Sequence, residues 1–329
     1  MFKIINSPHN KYKNITWGDN VDVTKRQSVN SFIVERFLKK FIEKSKKKKI
    51  IDNNLNPKKF KLDLPKFKKH KIKIVKLSSS KLFIITDKKS ENKKKIIYQL
   101  HGGSYLTPHV NMYFKNALRY LKIHEDIMVA SLDYRIAPKN LFPCALEDAI
   151  EGWKYLISKG YKENDIIIVG DSAGGNLALV LTMYLRDKEK VSPGGLILMS
   201  PWADLTDSGD SRIYNLNHDP MFGYSKLLDK VMAPDKTYVQ NEKLNNKFVS
   251  PIFDDFNNFP PMLIQIGTHE VLESDAITIY EKAIKKGVDV SLSRYHNMFH
   301  CFQLFGNFLP EAKLAWGEIN EFIVEHLNL

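Results

Sequence analysis

The run Ile166-Ile167-Ile168-Val169 leads directly into Gly170-Asp171-Ser172-Ala173-Gly174, and Asn176 to Arg186 follow with helical character. Consecutive β-branched residues of this kind read as a strand buried on both faces. The chain must therefore pass from buried strand to helix through a very sharp turn. Gly170 and Gly174 remove side chains that would collide across it, which leaves the Ser172 hydroxyl exposed above a sheet. The N-terminus of the helix behind it favours negative charge. A G-x-S-x-G pattern alone is a weak signal, but strand, turn and helix together are the context in which such a serine acts as a nucleophile.

From about residue 66 onward, short apolar runs alternate with helical patterns, as in a mostly parallel sheet covered by helices. The α/β reading predicts eight strands, at Lys71–Leu77, Lys81–Thr86, Ile96–Leu100, Ile127–Leu132, Ile166–Val169, Leu196–Met199, Met262–Ile266 and Val288–Arg294. It predicts helices at Met112–His124, Cys144–Ser158, Ala173–Arg186, Asp275–Lys286 and Glu311–His326. Two segments fall outside this rhythm. Residues 1–65 read as one amphipathic helix around Ser31–Lys44 plus loops, and residues 202–248 form a long insertion between two strands. Insertions at the carboxyl ends of strands lie over the ligand crevice of an α/β sheet, so the two segments are expected to form a lid. The core is then 66–201 with 249–329. A length of 329 residues suits one such unit with insertions.

About 70 residues before Ser172, the strand Ile96–Leu100 runs into His101-Gly102-Gly103-Ser104-Tyr105. Paired glycines after a strand let backbone N–H groups approach a substrate closely, as an oxyanion hole requires. Gly102, Gly103 and Ala173 are the expected donors.

No apolar run reaches the length of a membrane helix, and Met1–Asn10 lacks the pattern of a signal peptide, so a cytoplasmic protein without stable membrane insertion is expected. Cys144 and Cys301 are the only cysteines, too few for a disulfide framework or a zinc site. The net charge of +13 is unevenly placed: residues 1–100 hold 28 Lys/Arg against 8 Asp/Glu, a net of +20. The stretches Lys46–Lys49 and Lys58–Lys76 carry no nucleic-acid motif and few Arg, so they read as a solvated Lys-rich surface rather than a nucleic-acid footprint. Docking of this third on an anionic lipid surface is a variant of the main reading.

His101-Gly102-Gly103 and Gly170-Asp171-Ser172-Ala173-Gly174-Gly175-Asn176 resemble the HGG and GDSAGGN signatures of the hormone-sensitive-lipase-like branch of α/β hydrolases, the bacterial family IV esterases. The likeness covers about residues 95 to 305. It includes Asp133-Tyr134-Arg135-Ile136-Ala137-Pro138, read as support for the oxyanion loop, and the pairs Ser200-Pro201 and Ser250-Pro251 that bracket the insertion. The resemblance implies an α/β-hydrolase fold with a helical lid, and small soluble esters as substrates. Dimers are common in the family.

In this fold the triad follows the order serine, acid, histidine, with the histidine on a loop after the last strand. That order leaves His296 and His300, and the resemblance selects His300. The loop after Met262–Ile266 offers Glu270, Glu273 and Asp275. The family's Asp-x-Leu falls in register with Glu270-Val271-Leu272, which makes Glu270 the expected acid and Asp275 the second choice. Glu in place of Asp is one departure. Ser104 is another, standing where a third Gly is usual, and it is expected to keep ordinary backbone angles or to contribute no donor.

The chemistry implied is acyl transfer: Ser172 attacks an ester carbonyl, His300 takes its proton, and an acyl-enzyme is hydrolysed by water with neither metal nor organic cofactor. Tyr105, Trp202, Met221 and Phe222, with Tyr224, Leu227 and Leu228, suggest an apolar pocket for a short or medium acyl chain. A deacetylase or amidase would use the same groups. A hydrolase-fold binding protein would have a broken triad, whereas all three residue types stand here in order.

Overall fold

The computed structural model describes residues 21–24, 26–47, 64, 65, 67, 69–87, 94–223 and 237–329. Its strands are β1 (Val21–Thr24), β2 (His70–Lys76), β3 (Lys81–Asp87), β4 (Lys95–Leu100), β5 (Ile127–Asp133), β6 (Ile166–Asp171), β7 (Gly195–Met199), β8 (Met262–Gly267) and β9 (Val290–Tyr295). They form one sheet in the order β1-β9-β8-β7-β6-β4-β5-β3-β2. Pairing is parallel except on both sides of β3, which runs antiparallel to β5 and β2.

The strands predicted from alternation all appear, and the sheet has nine strands rather than eight. The extra one, β1, lies parallel to β9 with Val21 opposite Ser293. Its four residues VDVT hold only two apolar positions, too short a run for alternation to register.

Period-two burial on both faces explains the central strands. Ile166 and Ile168 of β6, with Ile96 and Tyr98 of β4, point to one face. There they meet α3 (Cys144–Ser158), α4 (Ala173–Tyr184) and α6 (Glu273–Lys285) through Trp153, Leu177 and Ile279. Ile167 and Val169 point to the other face, against α2 (Asn111–Tyr120) and α7 (Pro310–Leu327) through Phe114, Tyr120, Trp316 and Ile319. A third cluster packs Val34 and Leu38 of α1 (Val29–Lys47) against Phe299, Phe302 and Leu309. The start of α1 is tied to α7 by Glu311, which accepts from Ser28 N–H at 2.6 Å and from the Ser28 and Ser31 hydroxyls. Between β7 and β8 the insertion carries α5 (Ser211–Tyr214). Among the described residues no helix is long and apolar enough to cross a membrane.

The helix α4 is buried along nearly its whole length, because its first turn lies directly on the end of β4. A Cβ added to Gly174 would stand 2.2 Å from the Leu100 carbonyl oxygen and 2.6 Å from that of His101. Gly317, inside α7, has open space around it. Gly174→Ala is therefore expected to prevent folding or lower the melting temperature sharply. Gly317→Ala should stabilise by about 0.5–1 kcal/mol through lost freedom in the unfolded chain. Thermal melts of the two variants check both signs.

Candidate active site

Five loops leave the carboxyl edge of the sheet side by side, after β4, β6, β7, β8 and β9, which is where an open parallel sheet gathers ligands. Ser172 follows β6 at φ 54°, ψ −122°, a conformation side chains rarely adopt. Neighbours hold it there: its N–H donates to the Met199 carbonyl at 2.9 Å, and its own carbonyl accepts from Trp202 N–H at 3.1 Å. Among the described residues no hydrogen bond engages its Oγ.

His300 lies buried on the loop after β9, and its Nδ1 donates to Glu270 Oε2 at 2.8 Å. The other oxygen of Glu270 accepts from Gly267 N–H and from Ser200 Oγ, both at 2.7 Å. Burial raises the pKa of this fully enclosed carboxyl, while His300 and these donors pull the other way. Ser200 also accepts from Cys301 N–H at 3.1 Å, so one hydroxyl joins the Glu270 and His300 loops. On the far side of the imidazole, Nε2 lies 3.3 Å from Cys301 Sγ, itself 3.9 Å from Asp171 Oδ2. Burial pushes the Cys301 pKa up, which keeps it a neutral thiol. The Phe222 ring stands edge-on to His300 at 4.7 Å.

The other acids are engaged elsewhere. Asp275 Oδ2 accepts the backbone N–H groups of Ala203 and Asp204, each at 2.9 Å, and burial lifts its pKa to about 7. Glu273 pairs with Arg294 at 2.6 Å. His296 holds Thr24 Oγ1 through its backbone N–H.

The oxyanion loop corrects two expectations. Gly102 N–H points inward, toward Tyr113 Oη at 2.9 Å and Asp171 Oδ1 at 3.2 Å, so it does not face the cleft as a donor. Ser104 takes φ +56° rather than ordinary angles, and Tyr105 follows at +59°. Gly103, at φ +112°, begins this left-handed turn. Among the described residues no acceptor engages the N–H groups of Gly103, Ser104 or Ala173.

His101 is stacked on Tyr134 at 4.0 Å and bonds the Gly102 carbonyl through Nδ1. Burial lowers its pKa to about 4, so it is a neutral strut. Tyr134 Oη donates to the His101 carbonyl at 2.6 Å and Ala137 N–H to that of Tyr105 at 2.8 Å, so the Tyr134–Pro138 segment props the loop.

Of the expected pocket residues, Tyr105 is turned away. Its hydroxyl donates to Asn176 Oδ1 at 2.7 Å and its ring lies flat on Tyr238 at 3.9 Å, because the left-handed backbone swings the side chain into the core. Trp202 is buried behind the elbow, and its carbonyl accepts from Asn176 Nδ2. Met221 and Phe222 start from a turn whose N–H groups both bond Asp219 Oδ1. Tyr224, Leu227 and Leu228 lie outside the described residues.

Three contributors carried no sequence signal of their own, Tyr113, Asp219 and Asn215, and Ser200 stood out only as a bracket of the insertion. Asp219 Oδ2 accepts Val271 N–H at 3.0 Å, and Asn215 Nδ2 donates to the carbonyls of Thr268 and Glu270. Both bind the insertion to the acid loop across more than 50 residues of chain, a pairing only the fold reveals.

Comparison with known proteins agrees with this architecture. A family model described as the α/β-hydrolase fold matches residues 97–304. An esterase of Acinetobacter venetianus is 35% identical over 228 residues, covering 69% of this chain and 74% of its own. An acetyl-hydrolase of Streptomyces hygroscopicus is 32% identical over 218 residues, covering 66% and 71%. Among solved structures, a hormone-sensitive lipase from a metagenome library superposes with a TM-score of 0.78 at 27% identity, over 92% of this chain and 99% of its own. Fold, signatures and relatives coincide, and the chain belongs to the α/β-hydrolase-fold family, in its hormone-sensitive-lipase-like branch.

Proposed function

We propose that this chain is a serine carboxylesterase in which Ser172 is the nucleophile, His300 the base and Glu270 the acid that orients it. The N–H groups of Gly103, Ser104 and Ala173 receive the oxyanion. One observation carries the reading: a strained serine on the elbow shares the sheet edge with an imidazole held from behind by a buried carboxylate. Strain of about 1–3 kcal/mol persists only where the surroundings enforce it, and it concentrates at functional sites.

In the first step the Ser172 Oγ–H proton passes to His300 Nε2 as Oγ bonds the ester carbonyl carbon. The carbonyl oxygen gains the negative charge. Collapse of the tetrahedral species breaks the bond to the alkoxide, which leaves with the proton from His300. Water then repeats the sequence on the acyl-enzyme and frees Ser172. Glu270 keeps Nδ1 protonated and offsets the imidazolium charge. The insertion 202–248 and residues 1–65 act as a lid on the core, 66–201 with 249–329. Phe222 and Met221 line the acyl side. Names of relatives such as acetyl-hydrolase favour a short acyl group, and they also support deacetylation of a small ester as a second reading. Two free cysteines suit a cytoplasmic setting.

Five outcomes are expected. On a series of p-nitrophenyl esters of rising acyl length, turnover should peak at short to medium chains. Ser172→Ala should abolish it by about four to six orders of magnitude, and activity surviving in that variant would remove the reading. Glu270→Gln should cut kcat by about 10³–10⁴ while the fold melts normally. Asp275→Asn should instead lower the melting temperature and keep kcat within about tenfold, because that carboxylate holds backbone N–H groups; the reverse pattern would assign the acid to Asp275. Ser200→Ala, which takes a donor from a buried carboxylate, should lower kcat about 10–100-fold at constant KM.

A further inference from the structure

Among the described residues, the helix α1 (Val29–Lys47) packs on the core through one face. Val34 and Leu38 pack beside Phe299 and Phe302, which flank His300, and Glu35 meets His269 Nδ1 at 2.8 Å, one residue before Glu270. The outer face carries Val29, Ile33, Phe37 and Phe41, four apolar side chains spaced one helical turn apart and 56–74% exposed. The Phe37 and Phe41 rings lie near parallel at 6.3 Å. Phe308, 63% exposed, continues the row beyond the helix start, where Asn30 Nδ2 bonds its carbonyl.

Twelve residues of helix make this row about 18 Å long. Isolated exposed apolar residues need no explanation, but a contiguous row marks a contact surface. Exposed Arg36 and Lys40 border it, while Lys39 turns aside to bond the Asn217 carbonyl of the insertion. The helix as a whole holds six cations (Arg36, Lys39, Lys40, Lys44, Lys46, Lys47) against Glu35 and Glu43, a net of +4.

We propose that α1 is an interfacial helix that docks this enzyme on an anionic phospholipid surface. An apolar row edged by cations suits a partner that is apolar inside and anionic at its surface, which describes a bilayer containing phosphatidylglycerol. A helical peptide is recognised in a groove, whereas this face is the convex side of a single helix and suits a broad planar partner. Phe37 and Phe41 enter the acyl boundary, and Arg36 and Lys40 stay at the headgroups. The docked helix lies directly on the His300 and Glu270 loops, so the active-site edge of the sheet is held beside the lipid. Docking does not rest on the proposed catalytic roles, because vesicle binding reads it without turnover.

The test is co-sedimentation of the full chain with phosphatidylcholine vesicles, with and without phosphatidylglycerol, at low and high salt. Binding should require phosphatidylglycerol and weaken as salt rises. The double variant Phe37→Asp, Phe41→Asp and the separate double variant Arg36→Glu, Lys40→Glu should each weaken it roughly tenfold or more, with p-nitrophenyl acetate hydrolysis unchanged. Equal binding to phosphatidylcholine alone, salt-insensitive binding, or full binding by both variants would overturn the proposal. So would a dimer in sedimentation velocity that the Phe variant splits, since a second copy would then be the occupant of the row.

Discussion

The buried carboxylate of Asp171 is the contact on which the site's geometry depends. It receives Tyr113 Oη at 3.0 Å and Gly102 N–H at 3.2 Å, and the Cys301 thiol stands at 3.9 Å. The first two belong to α2 and to the loop after β4, and the third to the His300 loop. A charge taken out of water is costly unless donors surround it. Burial lifts the Asp171 pKa to about 6, and the Tyr113 hydroxyl, the neighbouring His300 and the Gly102 N–H act against the shift. Because Asp171 is the residue before Ser172, the elbow carries its own anchor for the oxyanion loop. With Gly102 turned inward, Gly103 and Ser104 are the residues of this loop left as candidate oxyanion donors.

Glu270 solves a similar problem differently. Its two oxygens have separate roles, since Oε2 holds His300 while Oε1 takes Ser200 and Gly267. The longer side chain of Glu reaches His300 from a loop that folds back on β8, and the Gly267 N–H pins its end so that the extra methylene adds little freedom. Ser200 makes the acid and the histidine loop a single unit, because the same oxygen donates to Glu270 and accepts from Cys301. Removing that hydroxyl leaves the carboxylate short of a donor in a place water does not reach.

The parts legible in the sequence are those written in local periodicity or a short motif. Alternation of short apolar runs with helical patterns revealed the strands from Lys71 onward, because each runs over four or more residues. Strand β1 was illegible, since its partner β9 lies about 270 residues away and VDVT carries no pattern of its own. The elbow was legible as strand, turn and helix. The direction of each amide in the loop after β4 was not: it follows from φ at Gly103, Ser104 and Tyr105, and a serine and a tyrosine in left-handed angles run against residue preference. The same twist explains Tyr105, whose place after the glycines suggests a pocket wall and whose ring stacks on Tyr238 instead. Glu270 and Asp275 could be ranked only by likeness to a family, because which carboxylate reaches an imidazole depends on the path of a loop.

The insertion and α1 both reach the Glu270 loop, and the insertion also holds the Ser172 carbonyl through Trp202 N–H at 3.1 Å. Asp219 and Asn215 bond Val271 N–H and the Glu270 carbonyl from one side, and Glu35 meets His269 from the other. Phe222, two residues after the turn at Pro220, is carried by this anchorage to the edge of the His300 ring. The elbow is held by Met199 of β7 and by Trp202, the first residue of the insertion, whose carbonyl also accepts from Asn176 of α4. The proposed nucleophile, base and acid are each braced by the insertion, through Trp202, Phe222 and Asn215 in turn, so its seating bears on the placement of all three.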